Sequence, residues 1–573
     1  MATTSSRTSA SKPAASKHAS GTQVASTKYD VHGIILDLGE SLPAPERRKI
    51  LAQLRAEVPA FAALTTAKSA ARPLGKGASD ALVAFHDGKR ITIAQTWNAV
   101  HALQQHPLVA DCEPAVGYTR PPEPARPATR SSSGGNEVHL PASMPRDWSI
   151  NAVKADLAQT RFGVTGAGVR IGHPDTGYTA HPQIAGPRLR IADGYDFVDD
   201  DADARDSMSG MHPGHGTATG SVIFSASAPE LFGIAPGAEL VPLRVSTAVI
   251  HFDFSNVVQA LYRARDRGCH VVSMSLGGAW AGRSLSRATD QLVSEGMILI
   301  AAAGNHTKMV IFPALLDSVI AVAASNADNK PWSGSASGAA VDITAPGESV
   351  WRAYAFKKSG TLHFDTQRSS GTSYATATTA GVCALWLQRH GVATLRARYG
   401  ARLASVFTTL LKAHCRPVPG WSTNRYGPGI LDAVGLLGAE LPAFGGAVKR
   451  SAQHAPTRTS AASDWTRLQP YLPELSPKQL AAAVTHMYGA GAKRSARSSQ
   501  TPLPPPSVID EIVFYVATDE TVREAFLAAG GGAKPAARGK NDAAKRAGSA
   551  LIDPRAVLRA KASAALRSAL ACE

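Results

Sequence analysis

No apolar run in the 573-residue sequence approaches the roughly 18–20 residues that a membrane-spanning helix needs. The most apolar stretch, Met297–Ala303 (MILIAAA), is far shorter, and a membrane span is excluded on that count. Acid is missing from residues 1–29, and so is the apolar segment of about 7–15 residues that a secretory signal requires. Transit peptides share such a basic, Ser/Thr/Ala-rich start, but a plain disordered tail over 1–28 is the expectation. Cysteine is scarce. Cys112, Cys269, Cys383, Cys415 and Cys572 are odd in number and widely spaced, which fits neither a disulfide framework nor a zinc site. Buried free thiols are expected instead. Charged residues reach only 18% against 44% hydrophobic ones, which excludes a wholly disordered, coiled-coil or collagen-like chain.

What is present is basic, with a formal net charge of +16. Residues 1–147 carry +5, residues 148–440 carry +3 and residues 441–573 carry +8, so the excess sits on the flanks. Its cations are scattered through Ala/Ser/Gly-rich sequence rather than gathered into a patch with aromatic or groove-reading elements, which argues against nucleic acid as a partner. Composition marks joints at 119–136 (Pro- then Ser/Gly-rich), around 441–463, and at 491–507.

These joints set the expected organisation: a tail at 1–28, a small α+β unit at 29–118, a linker at 119–144, a central domain at 145–440, a linker at 441–463, and a mainly helical, partly disordered region at 464–573. In the first unit, strands are expected at Val31–Leu38, Ala81–Phe85 and Leu108–Ala110, with helices at Arg47–Ala56 and Thr92–Gln104. The central segment alternates short β-rich runs (Gly168–Gly172, Glu239–Val245, His270–Ser275, Met297–Ala303, Ser318–Ala324, Val341–Thr344) with helical periodicity at Asn256–Arg267 and Ser284–Glu295. That alternation predicts an α/β fold with a mostly parallel sheet flanked by helices. In such a sheet, ligands collect at the carboxyl ends of the strands. The last region shows helical stretches at Pro477–Tyr488, Val508–Ala529 and Arg555–Ala571, the first opened by Ser476 as cap.

Three short blocks carry chemistry. Val169–Gly177 (VRIGHPDTG) ends in Asp175-Thr176-Gly177; Gly214–Thr217 is GHGT around His215; Gly371–Ala375 (GTSYA) places Ser373 at the start of a small-residue helix through Leu387. Singly, each is a turn, a bend or a helix cap. Together they supply a nucleophilic hydroxyl, an imidazole to take its proton, and a carboxylate to fix the imidazole's tautomer. The chain order Asp…His…Ser is the order of subtilisin. A fourth block, Ala301–Asn305 (AAAGN), ends an apolar strand with an amide side chain, 90 residues after His215 and 68 before Ser373. Acyl transfer passes through an oxyanion, and Asn305 is the candidate donor to it.

On these residues the sequence resembles the subtilisin-like serine protease family over roughly 145–440. The resemblance extends to Asp196–Asp199 (DFVD), Gly233–Val245 (GIAPGAELVPLRV), Ser273–Gly278 (SMSLGG), Phe312–Ala314, Val341–Gly347 (VDITAPG) and Tyr426–Ala433 (YGPGILDA). It implies that Asp175, His215 and Ser373 are a catalytic triad and Asn305 the oxyanion donor, acting with the Ser373 amide in a serine endopeptidase on protein or peptide substrates. Ser275, Leu276 and Gly277 would pair with an extended substrate backbone. No cofactor would be required; structural calcium is allowed, with Asp199–Asp203 as the candidate run, and no metal ligand is assigned. Residues 29–118 look like the family's inhibitory propeptide, with self-cleavage within Pro114–Arg130 and the tail after Glu113 lying in the cleft. Departures are Pro174 before the Asp, Tyr374 after the Ser, Ala377 where Pro is usual and Ala218 where a second His is frequent; none removes a reacting atom. The competing reading is a peptide-binding or interaction protein that uses an inactive domain of this type with its C-terminal region. The family is mostly secreted, whereas the missing secretion signal makes the cytoplasm the default expectation.

Overall fold

The computed structural model describes residues 29–85, 91–118, 144–226, 230–250, 253–307, 309–443, 465–488, 506–531 and 554–570. The 1–28 tail, most of the two linkers, most of 491–507 and Cys572 lie outside them.

The first unit contains β1 (Tyr29–Asp37), β2 (Ala71–Pro73), β3 (Asp80–Ala84) and β4 (Asp111–Tyr118). They form an antiparallel sheet in the order β2-β3-β1-β4. Side chains alternate across it, as the two-residue strand period demands. Ile34, Leu36, Val83 and Val116 join the unit's own helices, Ala44–Glu57 and Ile93–Leu103. Ile35, Leu82 and Ala115 face the central domain instead, against Leu261, Tyr262 and Leu285. A Cβ on Gly75 would run into the Tyr262 ring, so this close approach needs glycine there.

The expected strand Leu108–Ala110 is not one. Pro107 lies within a turn in which the Val109 amide donates to the His106 carbonyl at 3.0 Å, and the strand begins afterwards at Asp111. This also narrows the expected cleavage stretch Pro114–Arg130 and corrects a tail that leaves the unit after Glu113: as far as Tyr118 the chain is paired with β1, and Ala115 and Val116 are buried.

The central domain continues with β5 (Arg170–Asp175), β6 (Tyr195–Asp196), β7 (Glu239–Arg244), β8 (Val271–Met274), β9 (Ile298–Ala302), β10 (Ile320–Ser325) and β11 (Ile343–Pro346). They make one parallel sheet in the order β11-β10-β9-β8-β5-β7-β6. Alternate residues feed two separate cores: Val271, Ile298 and Ile300 pack with the helix Thr372–His390, while Val272, Leu299 and Ala301 pack with the helices Ser255–Asp266 and Arg283–Ser294. Strands buried on both faces read as continuous apolar runs, which is why Met297–Ala303 stood out in the sequence. Pro174 sits inside β5. The carbonyls of Val169 and Asp175 face β7 and that of Arg170 faces β8, so the alternation turns Pro174 toward β8, where pairing covers only Ile171 and Gly172 and the missing amide costs no bond.

The antiparallel hairpin of β12 (Val350–Lys358) and β13 (Thr361–Ser369) was not expected. Ser359 and Gly360 turn it with φ of 52° and 82°, the left-handed pair that tight hairpins use. In the C-terminal region Pro477–Tyr488 is a helix as read, and Ser476 and Gln479 form its capping pair. The other two stretches are each broken. Asp519 separates Pro506–Thr518 from Glu520–Ala529 and caps the latter by accepting from the Thr521 amide at 3.0 Å; Ala562-Ser563 separates Pro554–Lys561 from Ala564–Leu570. Cys112, Cys269 and Cys383 are buried free thiols, while Cys415 is only half-buried.

Candidate active site

β5 delivers Asp175 at its carboxyl end, where the Asp175-Thr176-Gly177 turn leaves the sheet. The helix His215–Phe224 starts at His215, directly after Gly214 at φ 74°. His215 Nδ1 lies 2.8 Å from Asp175 Oδ1. Asp175 is buried, and its Oδ1 also accepts from the Thr176 amide at 2.7 Å. Burial works to raise this carboxyl, but the charge and hydrogen bond of His215, with His173 and the Thr176 amide, outweigh it and hold the group below its usual range. An ionised Asp175 keeps the proton of a neutral His215 on Nδ1 and leaves Nε2 as the acceptor.

Two supporting groups carried no signal in the sequence. Asp206 Oδ2 accepts from the Thr176 hydroxyl at 2.6 Å and from the Gly214 amide at 2.8 Å, and its Oδ1 accepts from the Met208 amide at 2.7 Å. It ties the turn bearing Asp175 to the loop that launches the His215 helix. His173 is a second buried imidazole, 3.8 Å from Asp175 Oδ2 and 3.0 Å from the Thr219 hydroxyl. Burial, against the attraction of Asp175, lowers its pKa, so it stands beside the carboxylate as a neutral group.

Ser373 opens the helix Thr372–His390. Its hydroxyl donates to the Ser275 carbonyl at 3.3 Å, and the Ser275 hydroxyl donates back to the Ser373 carbonyl at 3.0 Å. Asn305 is exposed at the end of the loop after β9. Its Oδ1 accepts from the Thr372 amide at 2.9 Å and from the Thr372 hydroxyl at 2.8 Å, which fixes the amide orientation and frees Nδ2. A Cβ built on Gly371 would stand 3.3 Å from Asn305 Nδ2 and 3.7 Å from the Ser373 amide nitrogen. Two nitrogens that can donate therefore lie within 4 Å of one point, the place a side chain at Gly371 would take.

Ser275, Leu276 and Gly277 follow β8 as a buried segment beside Ser373. Their edge is already engaged within the chain, because the Gly277 amide donates to the Val249 carbonyl at 2.9 Å. The acidic run is engaged as well: Asp199 with Arg244, Asp200 with Arg72, and Asp203 with Arg205. Among the described residues no group of three His, Cys, Asp or Glu side chains is arranged to hold a metal ion.

Residues 166–412 match the model of the Subtilase family. Subtilisin BL of Lederbergia lenta is 32% identical over 288 residues, covering 50% of this chain and 96% of that protein. Subtilisin DY of Bacillus licheniformis is 32% identical over 270 residues, covering 46% and 92%. Among solved structures, MycP1 with its N-terminal propeptide removed is similar at 25% identity and a TM-score of 0.42, covering 52% of this chain and 98% of that one.

Proposed function

The chain belongs to the subtilase family of serine endopeptidases, and from that premise we propose that Asp175, His215, Ser373 and Asn305 form its acyl-transfer centre. His215 Nε2 takes the proton of the Ser373 hydroxyl as that oxygen attacks the scissile carbonyl. Asp175 stabilises the resulting imidazolium through Nδ1. The oxyanion forms between Asn305 Nδ2 and the Ser373 amide. His215 then gives its proton to the leaving amine, and a water activated in the same way releases the carboxylic acid and regenerates Ser373. Binding a substrate draws the Ser373 hydroxyl from the Ser275 carbonyl to the imidazole, a tightening common between free and occupied sites. Subtilases need no cofactor for catalysis.

The observation that carries this reading is the proximity of Asn305 Nδ2 and the Ser373 amide nitrogen to one point beside Gly371. The test is hydrolysis of an unstructured protein by the purified chain, with and without a serine-directed acylating inhibitor. Loss of activity with the inhibitor and in Ser373→Ala is expected. Undiminished hydrolysis by Ser373→Ala would remove the proposal.

The N-terminal unit is read as an intramolecular inhibitor that is cut from the protease by the chain itself. Support comes from its seat on the helices Ser255–Asp266 and Arg283–Ser294. Glu113 is buried there and caps the second of these, accepting from the Arg283 amide, from the Ser284 amide at 3.2 Å and from the Ser284 hydroxyl at 2.5 Å. The cut then falls after Tyr118, within 119–130. N-terminal sequencing checks it, since fully active protein that still began near Met1 would contradict self-processing. Ser275–Gly277 would receive substrate only after the Val249 carbonyl gives up the Gly277 amide.

A further inference from the structure

The described residues of the C-terminal region, 465–488, 506–531 and 554–570, take no part in the chemistry above, yet they pack against the N-terminal unit and the protease at once. The centre of the contact is Phe514, which is fully buried. Its ring lies 6.1 Å from Trp97 of the N-terminal unit and 5.3 Å, edge-on at 89°, from Trp280 of the protease. Apolar side chains of all three parts, including Val100, Leu566 and Trp280, belong to one continuous buried cluster. Tyr471 adds a second contact to the protease, its ring 6.4 Å from that of Phe312.

The polar contacts are divided in the same way. Glu511, wholly buried, meets His101 of the N-terminal unit at 2.8 Å and is held by the Ser563 amide at 2.7 Å and hydroxyl at 2.6 Å. The Ala564 amide donates to Asn98 of the N-terminal unit at 2.7 Å. Asp510, next to Glu511 in the chain, meets Arg283 of the protease at 2.5 Å and also Arg467. One helix, Pro506–Thr518, therefore bridges both partners through adjacent carboxylates and a shared ring.

While the chain is whole, the segment joining the N-terminal unit to the protease keeps its local concentration high. A cut in that segment abolishes the tether, and retention then depends on the surfaces alone. A second surface that is still covalently part of the protease restores a two-point hold. We propose that residues 465–570 are a latch that keeps the N-terminal unit seated after the chain between Tyr118 and Met144 is cut, so that its release requires loss of the C-terminal region. This rests on the reading of the N-terminal unit as the inhibitor.

The test uses the full chain carrying Ser373→Ala, with a recognition sequence for an unrelated site-specific protease between Tyr118 and Met144, and a second, different one between Ala443 and Trp465. After the first cut alone, the N-terminal unit should co-elute with the protease on size exclusion. After both cuts it should leave at least tenfold faster. Trp280→Ala should speed release after the first cut alone, and it acts from the protease side without touching the packing within 465–570; Phe514→Ala should do the same. Equal release from once-cut and twice-cut protein, whether slow or immediate, would overturn the latch. The inhibitor reading is checked separately on the active chain with a short peptide substrate. If once-cut protein that still holds its N-terminal unit hydrolyses the peptide as fast as twice-cut protein, that reading fails while the latch stands.

Discussion

The carboxylate of Asp206 accepts the hydroxyl proton of Thr176 at 2.6 Å, and the same oxygen receives the Gly214 amide at 2.8 Å. Asp175 precedes the first of these partners and His215 follows the second, so one buried side chain sets the spacing between the two loops.

Asp206→Ala leaves the Thr176 hydroxyl proton and the Gly214 amide without their acceptor, while Thr176 Oγ1 still accepts from the Gly216 amide at 3.1 Å, and it loosens the Asp175–His215 pair. Misplacement of about 1 Å in such a constellation costs on the order of 10²-fold in rate. The expected outcome is a fall of that size in kcat with KM nearly unchanged, partly rescued by Asp206→Asn. Steady-state kinetics on a short peptide substrate decides it, and a rise in KM alone would be the contrary result.

Gly371→Ala separates catalysis from folding. Gly371 has φ 169°, extended backbone that any residue adopts, so the substitution carries no conformational penalty. Its methyl would occupy the point 3.3 Å from Asn305 Nδ2 and 3.7 Å from the Ser373 amide. Activity should fall by at least the loss seen for a single oxyanion donor, about 10²–10³ in kcat, a magnitude known from subtilisin itself. The thermal midpoint should stay within a few degrees of the parent. A normal rate would show that the oxyanion forms elsewhere.

Thr372→Val tests the orientation of Asn305 rather than its presence. It removes the hydroxyl that donates to Oδ1 at 2.8 Å and accepts from the Gly304 amide at 3.2 Å, and keeps the Thr372 amide bond to Oδ1 at 2.9 Å. A roughly five- to thirtyfold fall in kcat is expected, on the order of 1–2 kcal/mol for one lost hydrogen bond. The share of the effect that runs through Asn305, rather than through the Gly304 amide, should disappear when Asn305→Ala is already present, and a double-mutant cycle measures this.

His270 makes stability depend on pH. Its Nδ1 accepts from the Arg170 amide at 3.0 Å, which requires the neutral ring. Burial, with Arg396 and Arg170 nearby, lowers its pKa from 6.5 to about 4. Between those values the unfolded chain binds a proton that the folded chain refuses, so stability falls as pH drops through the window and is flat above it. The full difference is on the order of 3 kcal/mol, less what solvent at the partly exposed ring screens. Denaturation curves from pH 7 to 4 should show this slope, and His270→Gln should flatten it.

Arg287 of the protease meets Asp37, Asp80 and Asp111 of the N-terminal unit. Asp80 is buried, and removing its guanidinium strands the carboxylate. Losing one member of a buried pair costs about 3–5 kcal/mol. Arg287→Ala should therefore raise hydrogen exchange at Ile34–Leu36 by two orders of magnitude or more, in a Ser373→Ala background that prevents cleavage. Unchanged protection there would mean that apolar contact alone holds the unit.

The blocks around the proposed centre were legible in the sequence: Asp175, His215, Ser373 and Asn305 each sit among glycines or small residues, and the structure sets Asp175 at a strand end and His215 and Ser373 at the first turns of helices. The alternation of apolar runs with helical periodicity likewise gave away the parallel sheet, since strands covered on both faces cannot hide their composition. The tertiary structure alone decided the rest. Asp206 is one acid among several in an acidic stretch, and only folding puts it between Thr176 and Gly214. The point beside Gly371 that both nitrogens approach exists only where two chain segments meet. Phe514 lies more than 400 residues from Trp97 and more than 200 from Trp280, yet its ring packs against both. Local patterns fix which face of an element is apolar; which other surface covers that face is settled by shape and charge across the whole molecule.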